Sequence, residues 1–242
     1  MMPKLTATAI VLLSICLAAG VQGIEVSGLI ERDTTWTADD IIEVVDNVQI
    51  DSAATLTIDA GTEIRFHWST SLRVHGALIA NGTDLEPISI TSAANPDTLY
   101  YYRMWYGIDA ESSRRVNLVH CHLSWAVTAV STNRTNLSMT DCRVENFASS
   151  GVSMSNPSET SVDSLRLQRC TIQQTSPDLI GKGIGVRVYR AADVRVSECR
   201  IRDCLRGIAL HGYRPFVPHA DIQLCEFARC DSCCINFTSG YG

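Results

Sequence analysis

Apolar and polar residues alternate in short runs along this chain and, beyond an apolar N-terminal run, do not sustain the i, i+3, i+4 spacing of an amphipathic helix. Leu56-Thr57-Ile58, Glu63-Ile64-Arg65-Phe66, Leu72-Arg73-Val74, Ile88-Ser89-Ile90 and Val186-Arg187-Val188 each place alternate residues on one side. Gly, Asn, Asp and Ser fall between the runs, which predicts many short strands joined by tight turns.

The second half adds a repeat of the form apolar-x-x-Cys-x-apolar. It occurs at Leu118-x-x-Cys121-x-Leu123, Met139-x-x-Cys142-x-Val144, Leu167-x-x-Cys170-x-Ile172, Val196-x-x-Cys199-x-Ile201 and Ile222-x-x-Cys225-x-Phe227, with cysteines 21, 28, 29 and 26 residues apart. A small residue followed by a β-branched one comes after most copies: Ala129-Val130, Gly151-Val152, Gly183-Ile184, Gly207-Ile208 and, less cleanly, Cys234-Ile235. A period of this size that varies by several residues fits a solenoid of one repeat per turn, with loops absorbing the differences. The leucine-rich frame of similar period is missing. The expected fold is all-β, a right-handed parallel β-helix of roughly eight turns with three short strands each. Turns stacked about 4.8 Å apart line up equivalent positions. The repeated cysteines then form an inward column, with a bend just before each to account for the odd spacing.

Thr34-Thr35-Trp36, Ala54 to Phe66, Leu72 to Thr83, Pro87 to Ser92 and Trp105-Tyr106-Gly107-Ile108 follow one another in this order near the start. Together they resemble the opening turns of secreted right-handed β-helix proteins, the pectate-lyase-like and NosD-like group. The resemblance spans about residues 26 to 110, and the cysteine repeats extend it toward the end. It implies a fold, while the activities carried on that frame differ widely.

Lys4, an apolar run from Ala9 to Ala19 and small residues around Gly20 to Gly23 have the build of a secretory signal. Residues 1–23 are therefore read as a signal and residues 24–242 as one exported β-helix domain, secreted, at the cell surface or in a periplasm. The run is shorter than the roughly 20 residues that span a bilayer, so no membrane span is expected after processing. Charge is unevenly placed: residues 24–120 hold 15 acidic and 6 basic side chains, residues 121–242 hold 11 and 13. That balance argues against nucleic acid as a partner.

Nine of the ten cysteines lie beyond the signal. In-register cysteines on stacked turns keep their Cβ atoms near the turn spacing, wider than the roughly 3.8 Å of a bridge. Cys121, Cys142, Cys170, Cys199 and Cys225 are accordingly read as core. Cys204 and Cys230 make a second two-step set and are the pair open to a disulfide. Cys225, Cys230, Cys233 and Cys234 crowd together near His211 and His219 but lack two Cys-x-x-Cys knuckles, so no metal site is expected.

No cofactor is expected, calcium entering only if the protein is a lyase. The acidic calcium cluster of the lyases and the Asp-Asp and Gly-His-Gly segments of the related hydrolases are absent. Asp39-Asp40 comes too early, and His211-Gly212-Tyr213 lacks the leading glycine. Arginines concentrate late and alternate with core residues, so Arg166, Arg195, Arg200 and Arg202 are candidates for gripping carboxylates by forked hydrogen bonds. The other reading pairs such arginines with Asp193, Glu198 and Asp203 on a solvated face. Tyr101 and Tyr102, in the run Tyr100 to Tyr106, are candidates for stacking on sugar rings.

Together these features favour a non-catalytic structural or binding role, with polysaccharide or other surface proteins as partners. An enzyme on acidic polysaccharide, lyase or hydrolase, is the alternative. No amphipathic helix or polar cap is evident at Ser239 to Gly242, so the chain is expected to continue or to meet another chain there.

Overall fold

The computed structural model describes residues 23–94, 103–155, 163–176, 182–190, 192–213 and 219–240. The proposed signal therefore falls almost wholly outside the described residues. No helix among them is long and apolar enough to cross a membrane.

The opening strand β1 (Gly23–Ile30) is followed by β2 (Thr34–Trp36) and the long β3 (Ile41–Ile50), then by β4 (Thr55–Ile58), β5 (Glu63–Phe66) and β6 (Ser71–Val74). Next come β7 (Ala77–Asn81), β8 (Ile88–Ser92), β9 (Gly107–Glu111), β10 (Arg115–Val119), β11 (Cys121–Ser124) and β12 (Thr128–Asn133). The second half holds β13 (Leu137–Thr140), β14 (Arg143–Glu145), β15 (Ser150–Ser155), β16 (Asp163–Gln168), β17 (Thr171–Gln173) and β18 (Ile184–Tyr189). It ends with β19 (Ala192–Ser197), β20 (Arg200–Arg202), β21 (Arg206–Tyr213), β22 (His219–Gln223), β23 (Glu226–Ala228) and β24 (Cys233–Gly240).

Every pairing is parallel and joins a strand to its equivalent one turn away. Eight strands form a front sheet in the order β2-β4-β7-β10-β13-β16-β19-β22, so the described residues make eight turns. The other strands form one wrapped sheet with two arms. Its first arm runs from the start of β3 through β5, β8, β11, β14, β17 and β20 to β23. Its second arm runs from the end of β3 through β6, β9, β12, β15, β18 and β21 to β24. β3 serves both arms, with Ile41–Val44 pairing β5 and Val48–Ile50 pairing β6. β1 covers β3 from the other side. This parallel β-helix is the architecture that the strand-and-turn pattern predicts.

Sharp corners make the coil possible. His120, Asp141, Arg169, Glu198 and Leu224, each just before a repeated cysteine, adopt φ between 46° and 55°. For residues other than glycine this left-handed conformation costs roughly 1–2 kcal/mol. Stacking offsets it, because the N–H of the corner residue still joins the ladder: His120 donates to the Thr140 carbonyl, Asp141 to Gln168, Arg169 to Ser197 and Glu198 to Gln223, each at 3.0 Å. The predicted bend before the cysteine is this single residue. Trp125, Asn146, Asp203 and Arg229 turn the chain between the two arms in the same way.

Beyond the corner, Cys121, Cys142, Cys170 and Cys199 are buried and Cys225, in the last described turn, is half-buried; all five thiols are free. Each thiol donates to the carbonyl two residues earlier, as Cys142 Sγ does to Thr140 at 3.3 Å and Cys199 Sγ to Ser197 at 3.3 Å. Cys204 and Cys230 are also free. The bridge left open between them is not formed. Their thiols donate along their own strands, to Arg202 at 3.2 Å and Ala228 at 3.9 Å, and equivalent positions on stacked turns hold their Cβ atoms too far apart.

Alternation explains the core. Leu56, Leu78, Val116, Leu137, Leu165 and Val194 form one inward column of the front sheet, all at most 1% exposed. Trp105, expected as a strand residue, is fully buried, with its ring stacked on Phe66 at 4.2 Å and Nε1 donating to the Ser124 carbonyl at 2.9 Å.

The small-then-branched repeat also acquires a cause, with one correction. Register places Val186 opposite Ile208, so the repeat unit is Gly185-Val186 rather than Gly183-Ile184. A Cβ on Gly151 would stand 2.7 Å from Ile172 Cγ2, on Gly185 2.7 Å from Ile201 Cγ2 and on Gly207 2.8 Å from Phe227 Cδ1. The two arms meet along this line, and no side chain fits at these three positions, whereas Ala129 occupies the equivalent place one turn before Gly151. Gly185→Val should therefore lower the urea midpoint by an amount equivalent to about 1–3 kcal/mol. Ser153→Ala, facing outward on the neighbouring turn, should stay within about 0.5 kcal/mol.

Candidate functional site

The core leaves function to the outward columns. On the first arm, His122, Arg143, Thr171, Arg200 and Glu226 stack in one column and Ser124, Glu145, Gln173 and Arg202 in the next. Glu145 is the hub. His122 Nε2 lies 2.9 Å and Arg143 Nη2 2.6 Å from its carboxylate, and Gln173 Nε2 donates to it as well. Gln173 Oε1 in turn accepts from Arg202 Nε at 2.7 Å. Burial pushes the Glu145 carboxyl up, but His122, Arg143 and Gln173 outweigh it and hold the group at about 2. Such a carboxylate is fixed as an anion and is a poor proton acceptor. Arg200 is engaged too, with Nε 3.2 Å from Glu226 Oε2.

On the front sheet, Ser138, Arg166, Arg195 and Asp221 form a column. Arg195 Nε lies 3.3 Å from Asp193 Oδ2. Arg166 sits opposite Arg195 on the adjacent turn, and no ion pair or hydrogen bond joins its side chain to a described residue. The four candidate arginines are thus divided between two faces: Arg166 and Arg195 on the front sheet, Arg200 and Arg202 on the first arm. Alternation correctly places them outside, but they do not converge on one site. Tyr101 and Tyr102 lie outside the described residues.

The second arm holds a group that sequence reasoning missed. Arg73 and Asp109 are opposite each other on adjacent turns, and His75 Nδ1 is 3.2 Å from the Glu111 carbonyl oxygen. Burial, then Glu111, raises the Asp109 carboxyl above its ordinary value, against the opposing pull of Arg73 and His75. Beside them a hollow of about 350 Å³ is lined by Asp51, Ser52, His75, Glu111 and Ser112. His75 and Glu111 are 36 residues apart, and only the register brings them together. A second hollow of about 570 Å³ is lined by His67, Trp68, Ala93, Ala94 and Arg103, with Trp68 67% exposed. Among the described residues, no three His, Cys, Asp or Glu side chains are grouped so as to hold a metal ion.

A coil of stacked parallel turns with polar outer columns defines a solenoid of the β-helix class. The model of the right handed beta helix region matches residues 106–242, more than half of the chain, and the chain belongs to that family. No curated protein matches it. Among solved structures, an alginate lyase from Paenibacillus sp. str. FPU-7 is similar over 77% of this chain and 93% of that one, at 8% identity and a TM-score of 0.28. A likeness that loose bears on neither activity nor site.

The Glu145 cluster has a measurable signature. Its lowered pKa contributes stability that is fully present above about pH 4.5, the ordinary value, and is lost as pH falls toward about 2. The full contribution is on the order of 3 kcal/mol. Urea midpoints measured from pH 6 downward should fall across that window in the wild type and fall less in Glu145→Gln.

Proposed function

We propose that this protein is an exported, non-catalytic β-helix that binds an acidic polysaccharide laid along its axis. The observation that carries the reading is Arg166 stacked in register over Arg195, with Arg166 unpaired among the described residues. Two guanidiniums one turn apart repel each other, and a carboxylate placed across them removes the repulsion and accepts forked hydrogen bonds. A linear sugar chain running along the axis crosses successive turns, so its acidic groups meet successive positions of one column. Export rests on the signal-like residues 1–23, and buried thiols at the repeated cysteines are compatible with it because such thiols are inert. The occupied state of Glu145 supports a structural role for the first arm.

A second reading places an enzyme on the same coil. Asp109, held toward its protonated form beside Glu111 and facing Arg73 and His75, has the character of a general acid next to a second carboxylate.

One set of assays separates the readings. Binding to polygalacturonate and alginate, followed by calorimetry at two salt concentrations, should weaken with salt. It should fall about tenfold in the double variant Arg166→Gln/Arg195→Gln, a loss of roughly 1.4 kcal/mol. Unchanged affinity in that variant would remove the front sheet from the proposal. The same mixtures should release neither unsaturated product nor new reducing ends. Release that disappears in Asp109→Asn would replace binding by catalysis on the second arm.

A further inference from the structure

The interior carries a polar column at the corner between the second arm and the front sheet. Ser113, Thr135 and Asp163 meet there on successive turns, each at most 8% exposed. Thr135 and Asp163 stand two residues before the paired Leu137 and Leu165, so the ladder sets one over the other. Alternation turns Asp163 inward with Leu165 and Leu167 and leaves Ser164 and Arg166 on the outer face.

The hydroxyls of this column are already committed. Ser113 donates both its N–H and its Oγ–H to Thr135 Oγ1 at 3.0 Å, and Thr135 Oγ1 donates to the Asn133 carbonyl at 3.1 Å. Asp163 is left with the Thr135 backbone N–H as a donor, and its Oδ2 is buried with no hydrogen-bond partner. Ala192, opposite it on the following turn, has no polar side chain to offer. Nearby charged groups do not make up the difference. Arg134, at the corner itself, reaches out to Glu111 with Nη2 3.3 Å from Oε1, while Arg166, Asp193 and Arg195 stand in outward columns. Burial therefore prevails over the Thr135 N–H and Arg134 and raises the Asp163 carboxyl above its ordinary 3.8. Glu145 is the opposite case: also buried, it is held down by the donors of His122, Arg143 and Gln173.

We propose that Asp163 is a proton-operated latch at the head of β16: its carboxyl fits the interior when protonated, and ionisation loosens that corner of the coil. An ionised carboxylate with one oxygen shielded from water and unpaired carries an uncompensated cost, and protonation removes it. The folded chain holds this proton to a higher pH than the unfolded chain does. The contribution of Asp163 to stability is therefore greatest below about pH 3.9, falls as pH rises through the folded value and stays lost above it. That sense is opposite to the contribution of Glu145, which acid removes. The latch sits on the strand that carries Arg166, but it does not rest on the polysaccharide reading.

The test compares the full chain with its Asp163→Asn variant, which keeps the shape and removes the charge. The urea midpoint of the variant minus that of the wild type should rise steadily from about pH 4 to about pH 7.5. Asp40→Asn, at an exposed turn, should give a difference that does not change with pH. Amide exchange, corrected for its intrinsic pH dependence, locates the effect: protection at Ser164 to Leu167 should drop several-fold over the same range in the wild type and stay level in Asp163→Asn. A carbon-13 titration of the wild-type carboxyl needs no variant, and its midpoint should lie above the ordinary value of about 3.9. A midpoint at or below that value, as a water bridging Asp163 to the unpartnered Thr132 Oγ1 would produce, would overturn the latch. So would a constant offset between Asp163→Asn and the wild type, which reports only how the amide packs, or a loss of protection spread evenly over the coil.

Discussion

The parallel hydrogen-bond ladder between successive turns is the constraint from which the rest of this structure follows. A strand that pairs only with its equivalent one turn earlier and one turn later must bend where they bend. Each corner is therefore a column, and the left-handed residues before Cys121, Cys142, Cys170 and Cys199 repeat because the ladder leaves them no other place. A single residue at φ near 50° turns the chain without removing its N–H from the ladder. The residue that follows points into the interior, where the cysteine thiol donates to the carbonyl two residues earlier and where, one turn before Cys121, the same column holds the buried Ile88.

The same constraint shapes the outside. Because side chains alternate, every inward column has an outward neighbour, and the outward columns are where charge is arranged. On the first arm the arrangement is closed: Glu145 is surrounded by donors, and Arg202 is tied to it through Gln173. On the front sheet and on the later turns of the second arm it is open, with Arg166, Arg187 and Arg206 lacking acidic partners among the described residues. The difference lies in whether a carboxylate stands within reach of the guanidinium: Glu226 meets Arg200, and Asp193 meets Arg195 but not Arg166.

Much of the fold was legible in the chain because the features that specify it are local and repeated. Five cysteines at one position, short strands set between turn residues, and a small residue after most copies all report the period of the coil. The spacing Leu118-x-x-Cys121 even located the bend. What escaped was information that exists only across turns. Gly183 and Gly185 are both glycines near a β-branched residue, and only the pairing of Val186 with Ile208 shows which one lies on the line between the arms. Arg166 and Arg200 looked alike, each alternating with core residues, yet one lies on the front sheet and the other on the first arm. His75, Asp109 and Glu111 carried no motif at all, since loops of variable length separate the turns that bring them together.

The direction of the ladder has a mechanical consequence. Its hydrogen bonds run along the coil axis, and so do the ion pairs that join corner residues of neighbouring turns, Arg169 with Asp141 and Arg229 with Asp203. Tension along the axis therefore loads these bonds in series and opens the coil one turn at a time, like a zipper. Force applied across the axis must instead shear several strands at once. A coil built in this way yields more readily along its axis than across it.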